Sequence, residues 1–205
     1  MNPWINWVKK IQAISQIGSA YSKDIYDLER YDQLKAISHE MIAHLADAPI
    51  SQVDAFFLPD QGYATPKVDL RAGVFKDGNI LLAKETTDGA WSLPGGWADT
   101  CESPKQGIER EVLEETGYIV KAKKLVGVKD RSLHNYTPVF PEHVYKLFFL
   151  CELIGGNPNE NHEISEVSFF SLENLPPLSL SRIGEDDLHL LWQHHKDESL
   201  ATYCD

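Results

Sequence analysis

Apolar residues recur every three or four positions from Trp4 to about Ile17, through Trp7, Val8, Ile11 and Ile14. That is the spacing of one helix face. The same rhythm returns between about Ser22 and Ala46, in Ile25, Leu28, Leu34, Ile37, Met41, Ile42 and Leu45, and predicts a second helix. Two helices alone cannot bury two such faces, so they must pack on the rest of the chain or on a second copy of it. We expect residues 1–66 to form a helical appendage with its linker, supporting a homodimer.

The stretch DAPISQVDAFFLPDQGYATPKVD, with three prolines and a glycine, predicts a short helix and then an extended linker ending near Pro66. Beyond it the period shortens. VDLRAGVF and NILLAKE flank the turn KDG as in a hairpin, and KKLVGVKD, HVYKLFFLCEL and EVSFFSL read as further short strands. One strong helix is interleaved from Pro104 to Thr116, and an amphipathic helix follows from about Gly184 to His195. Residues 67–205 therefore predict an α+β domain, a mixed sheet sandwiched between helices.

The helix at Pro104 has ordinary ends and an unusual face. Ser103 is a good N-cap, Pro104 suits the first helical position, Gln106 completes a capping box, and Gly117 stops the helix. Ile108, Val112 and Leu113 supply its expected buried stripe. Glu111, Glu114 and Glu115 lie three and four apart, at the negative end of the helix dipole. Like charges at this spacing cost about 0.2–0.5 kcal/mol per pair. Stability does not explain them; a solvated acidic face offset by Arg110 or a carboxylate cluster for hard divalent cations would.

Bulk composition narrows the partners. A net charge of -12 opposes tight general binding to nucleic acid or to anionic lipid, and only Lys9 and Lys10 favour an interfacial membrane helix near the start. A phosphate substrate would need a divalent cation to offset that charge. No apolar run approaches a membrane span or a signal-peptide core, so a cytoplasmic protein is expected. Cys101, Cys151 and Cys204 are widely spaced and suggest neither a disulfide framework nor a zinc site.

Gly96, five residues, Glu102, seven residues, then Arg110-Glu111-Val112-x-Glu114-Glu115-x-Gly117 resembles the Nudix signature, with Tyr118 replacing its final aliphatic residue. VDLRAGVF, WSLPGGW and EISEVSFFSLENLP resemble its surroundings in Nudix hydrolases, and the N-terminal segment resembles a helical extension of one subgroup. Within that subgroup the chain is similar to bacterial CDP-choline pyrophosphatases. The resemblance implies metal-dependent hydrolysis of a nucleoside diphosphate linked to another moiety, with magnesium as cofactor and manganese as substitute. CDP-choline, cut to CMP and phosphocholine, is the expected substrate. ADP-ribose, a nucleotide sugar or a capped nucleotide is the alternative, with action on RNA ends left open. A non-catalytic nucleotide-binding regulator is the reading from another class, and a mainly structural dimer module would leave the acidic helix unexplained.

Carried over by position, the resemblance makes Glu111 and Glu115 the principal metal ligands, Glu114 a further or water-mediated ligand, and Gly95 a backbone ligand. Arg110 holds Glu111, while Glu102 and Gly96 support the loop. The general base is Glu111 or a later acid, Glu163 or Glu166. Trp97 and Arg71 are candidates for contact with substrate, and Arg131, His134, Asn135 and Tyr136 in KDRSLHNYTPVF offer a cation, polar groups and an aromatic ring. Arg71 reads equally as half of a structural ion pair, and Trp97 equally as packing.

Overall fold

The computed structural model describes residues 3–57, 62–138, 142–159 and 161–205. Contacts divide the chain at Pro66 into a helical unit and a mixed unit, the short stretch ending at His143 grouping with the first.

The helical unit contains α1 (Pro3–Tyr21), α2 (Ile25–Ala46) and α3 (Ile50–Phe57). Asp24 caps α2 by accepting from the Tyr26 and Asp27 amides, and Asp47 ends it in the left-handed region. A small core of Val8, Ile42, Val53 and Phe57 holds the three helices. The face that α1 buries differs from the expected apolar one: it consists of Val8, Gln12, Ser15 and Gln16. Trp4, Trp7 and Ile14 stay 54%, 51% and 58% exposed, and Ile25, Leu34, Ile37 and Leu45 of α2 are exposed as well. Close helix approach is the reason. A side chain at Gly18 would lie 2.3 Å from the Tyr31 ring, so small and self-bonded polar residues fill the crossing. The Ser15 hydroxyl donates to the Gln12 carbonyl, and the Gln12 amide donates to Gln16. The linker expected after α3 lies partly outside the described residues.

In the mixed unit, β1 (Lys67–Lys76), β2 (Asn79–Glu85) and β3 (Trp91–Ser92) precede α4 (Pro104–Thr116) and β4 (Tyr118–Asp130). A 3-10 turn at Arg131–Leu133 leads towards β5 (Val144–Gly156), β6 (Ile164–Phe170), α5 (Glu185–Lys196) and β7 (Tyr203–Cys204). The strands run in the order β3-β2-β1-β5-β4-β7, with β6 on β2. β1 is parallel to β5 and antiparallel to β2, which makes the sheet mixed as expected. Two-residue alternation sorts the side chains to opposite faces. Leu70, Ala72 and Val74 of β1 join Phe149 and Cys151 of β5 against Ile108 and Val112 of α4. Phe148 and Leu150 of β5 pack the other way, with Leu188 and Leu191 of α5. The helices thus cover opposite faces of the sheet.

The Ser103–Gln106 capping box forms, and Gly117 adopts φ 73° with its amide on the Leu113 carbonyl. Leu113 does not belong to the buried stripe. It is 49% exposed, because one helical step from Val112 carries it about 100° around the axis. Tyr118, at the signature's variant position, packs edge-on against Phe169. Ile108 has no exposed area and packs within the core that α4 shares with β1 and β5. Ile108→Ala should therefore cost about 2–5 kcal/mol of unfolding free energy, measured by urea titration with an unchanged slope. No helix among the described residues is long and apolar enough to cross a membrane.

Candidate active site

The segment between β3 and α4 is held along β1 like an extra strand. Ala72 N–H donates to the Pro94 carbonyl, Leu70 N–H to the Gly96 carbonyl, and Ala98 N–H to the Val68 carbonyl. This brings backbone so close that a side chain at Gly95, where φ is 140°, would lie 2.0 Å from the Leu70 oxygen. Only glycine fits there. Below the segment, α4 presents its acids: Gly95 N–H donates to Glu115 Oε2 at 2.8 Å, and a Cβ at Gly96 would meet Glu111 Oε2 at 3.0 Å. Gly95, Gly96 and the signature glutamates Glu111 and Glu115 therefore form one small wall.

Arg110 organises the rest of the box. Its Nε and Nη2 form a fork to Glu102 at 3.1 and 2.8 Å, and its Nη1 donates to Glu111 at 3.0 Å and Glu114 at 2.9 Å. The fork fixes the loop that carries Glu102 relative to α4, and it holds the Glu102 carboxyl below the usual range. Glu114, its side chain 59% exposed, is engaged by Arg110 beside the wall. The like-charge cost noted in the sequence is thus partly offset by one guanidinium shared among three glutamates.

Two box acids remain strained electrostatically. Burial pushes the Glu115 carboxyl up to about 8, although Arg71 and the Gly95 amide pull the other way; Glu85 and Glu111 add to the rise. Burial also raises Glu111 against the opposing effect of Arg110. Glu85, at the end of β2, is a third such acid: burial raises it despite Arg182, whose Nε lies 3.0 Å away, and despite Arg71. Sequence reasoning missed Glu85. A register shift between Lys84 and Glu85 interrupts the strand alternation that would have assigned it a face.

The residues present fit a hard divalent cation. The wall offers oxygen donors only, and its buried carboxylates repel one another in a way that an added positive charge would relieve. Among the described residues, no group of three His, Cys, Asp or Glu side chains forms a ready-made metal cage. Magnesium suits such a partial set, since it keeps waters and uses substrate phosphates beside one or two carboxylates.

Of the later acids, Glu163 sits where Thr86 N–H donates to its carbonyl, next to Glu85, whose charge it influences. Glu166 is further along β6, opposite Lys84, and pairs with that lysine at 3.4 Å. Glu163 is the better placed of the two.

Arg71 does not reach out for phosphate. It is 6% exposed, its Nε and Nη2 are bound to Asp69, and its Nη1 donates to Ser92 and the Leu93 carbonyl. Its position inside the sheet, near Glu115, makes it an electrostatic support for that acid. Lys146 shares Asp69, and with one carboxylate between two cations burial drives the lysine down to about 8. Trp97 is 47% exposed and its backbone bridges Asp69, so it borders the site. Tyr136 is buried: its hydroxyl donates to Asp187 at 2.9 Å, and Lys146 and Arg131 lie over its ring. Its ring is therefore committed to packing and is not offered to the substrate, contrary to what the sequence leads one to expect. Arg131 donates to the Pro138 and Ser181 carbonyls, and His134 Nε2 meets the Asp205 carboxylate at 3.0 Å. The ring of bonds around Asp69, Lys146 and Asp187 left no spacing signal in the sequence.

A glycine-lined loop over a capped glutamate helix, inside a mixed sheet between helices, defines a Nudix hydrolase. A NUDIX domain profile matches residues 69–191, and the chain belongs to that family. Residues 2–57 match a UDP-X-like, N-terminal oligomerisation domain. A putative ADP-ribose pyrophosphatase, YjhB of Bacillus subtilis, is 37% identical over 98% of this chain and 97% of its own. Among solved structures, a UDP-X diphosphatase aligns over 99% of this chain and 98% of its own, with 32% identity and a TM-score of 0.65. An ADP-ribose pyrophosphatase from Streptococcus suis aligns over 69% of this chain and 100% of its own, with 40% identity and a TM-score of 0.63. The chain is a pyrophosphohydrolase of nucleoside diphosphates linked to another moiety, in a family whose members generally need a divalent metal.

Proposed function

We propose that the substrate is ADP-ribose or a closely similar nucleoside diphosphate joined to a sugar, cut by water into a nucleoside monophosphate and a sugar phosphate. The observation that carries this reading is the ADP-ribose pyrophosphatase similarity, 37% identity along nearly the whole of both chains. The CDP-choline expectation gives way, since the near-full-length relatives described above bear ADP-ribose and UDP-X names. The UDP-X similarity favours a UDP-linked compound as the second reading.

Magnesium, with manganese as substitute, would be held by Glu111, Glu115 and the Gly95 carbonyl, with Glu114 as a further or water-mediated ligand. It supplies charge neutralisation at the pyrophosphate and orientation for the attacking water. The chain's own residues do the rest. Arg110 fixes Glu111 through its bond at 3.0 Å, and Arg71 favours the ionised form of Glu115 from within the sheet. Glu111 or Glu163 accepts the proton of the water as its oxygen joins phosphorus and the bridging phosphorus–oxygen bond breaks. Trp97 and the turn that carries His134 border the space for the two ends of the substrate, while Arg131, buried with its guanidinium on the Pro138 and Ser181 carbonyls, holds that turn from behind. The outward apolar rows of α1 and α2 join two copies into a homodimer.

Incubation with magnesium and a panel of ADP-ribose, UDP-sugars, CDP-choline and short capped RNA, followed by product identification, tests the reading. AMP and ribose 5-phosphate are expected as the fastest products. CMP with phosphocholine formed faster would overturn the substrate assignment, and no hydrolysis of any compound would favour a nucleotide-binding regulator.

A further inference from the structure

The segment from Thr202 to Asp205 lies along the β4 edge of the sheet and reaches the turn that follows β4. Thr202 donates to the Leu125 carbonyl at 2.8 Å, and Tyr203 and Cys204 pair in parallel with Gly127 and Val128. Beyond the paired residues one carboxylate gathers three donors. Asp205 accepts from Asp130 N–H at 2.6 Å, from His134 Nε2 at 3.0 Å and from the Tyr203 hydroxyl at 2.8 Å. These bonds hold its carboxyl below the usual range: burial works against ionisation, but Tyr203, His134 and the Asp130 amide outweigh it.

The donors stand at both ends of the 3-10 turn. Asp130 is its N-cap, accepting from Ser132 N–H at 2.8 Å, and His134 is its C-cap. Between them lies Arg131, whose guanidinium sits 5.6 Å from the centre of the Tyr136 ring. Lys146 lies over the same ring at 5.3 Å and pairs with Asp69, which bridges Trp97 beside Gly95 and Gly96. An unbroken series of contacts thus runs from the turn that Asp205 holds to the rim of the carboxylate wall.

We propose that Asp205 is a positioning residue, setting the turn at Arg131–His134 so that the turn can receive the nucleotide substrate. This rests on the reading above that the turn borders the substrate. A carboxylate suits the position because all three partners are donors, which an amide would satisfy only in part. Hydrogen bonds that hold a recognition loop act on substrate binding more than on the chemical step.

Steady-state kinetics on the full chain with magnesium and ADP-ribose, or whichever panel compound is cut fastest, test the proposal. Asp205→Ala should raise KM by about threefold to tenfold while kcat stays within about twofold, the pattern of a lost binding contribution. Asp205→Asn should fall between Asp205→Ala and the native protein. His134→Ala should raise KM too, and the double variant should be no worse than the sum of the two, with coupling between them. A raised KM for His134→Ala with an unchanged KM for Asp205→Ala would overturn the proposal and leave the loop's role standing. An unchanged KM for both would overturn the two together. A fall in kcat with unchanged KM would also overturn it, and melting curves of Asp205→Asn, which keeps the side-chain shape, separate that result from a folding defect.

Discussion

Glu115→Gln should lose about a hundredfold to thousandfold in kcat with magnesium and saturating substrate, as when a preorganised electrostatic group is removed from an active site. Glutamine keeps the shape of the side chain, and its oxygen can still accept from Gly95 N–H, so the wall itself survives. What disappears is the negative charge that a divalent cation needs. Glu111→Gln should fall in the same range, since its carboxylate stands against Gly96 and is held by Arg110. Glu114→Gln should lose less, because that side chain is 59% exposed and engaged with Arg110 outside the wall. Native turnover in either of the first two variants would sink the assignment of the site.

The same substitution carries a second, opposite effect on stability. The Glu115 carboxyl lies at about 8 in the folded protein against an ordinary value of 4.5, with Arg71, Glu85 and Glu111 as the charged groups around it. The folded state therefore holds this proton more tightly than the unfolded chain does. Its stabilising contribution is complete below the unfolded value and is lost as pH rises through the folded one. With a chelator present, the native protein should melt at progressively lower temperature as pH rises from about 5 to about 9, and Glu115→Gln should flatten that slope. Magnesium at a hundred times its dissociation constant should restore about 2.7 kcal/mol to the native protein at high pH and much less to the variant. Parallel slopes for the two proteins would contradict the burial of this charge.

How much of this could be read in advance depends on the range of the interaction involved. The caps of α4 are local, and Ser103, Gln106 and Gly117 do what their order along the chain dictates. The pairing of Glu111 and Glu115 with the glycine loop was legible because the spacing of a signature encodes a three-dimensional arrangement. Leu113 misled because its hydrophobicity is local while its direction depends on which helix face meets the sheet. Tyr136 misled for a related reason, and of the two readings of Arg71 the structure bears out the ion pair. Both have chemistry suited to a nucleotide, but strand alternation turns Arg71 to Asp69, and Asp187, far along the chain, captures the Tyr136 hydroxyl. Glu85 and Asp205 show the reverse case, since each acquires its role through partners distant in sequence: Arg182 for one, Asp130 and His134 for the other. No period or motif announces such pairs.

Trp7→Glu combined with Ile37→Glu should convert the protein from dimer to monomer in sedimentation. The helical unit satisfies itself through Val8, Ile42, Val53 and Phe57, and leaves its larger apolar side chains outside. Trp7 and Ile14 lie seven residues apart on α1, and Leu34, Ile37 and Leu45 follow helical spacing on α2, so each helix presents a continuous row. Covering the exposed half of each such side chain contributes on the order of 1 kcal/mol. A twofold axis counts every residue twice, which multiplies both that gain and the effect of a substitution. A carboxylate placed in either row would have to give up its water on association, which adds a cost to the lost apolar contact. The dissociation constant should weaken by at least about a hundredfold, equivalent to roughly 2.7 kcal/mol. Because neither substitution touches the small inner core, the variant should keep its helical circular dichroism. A native protein that already sediments as a monomer, or a variant that stays dimeric, would show that these rows serve another surface.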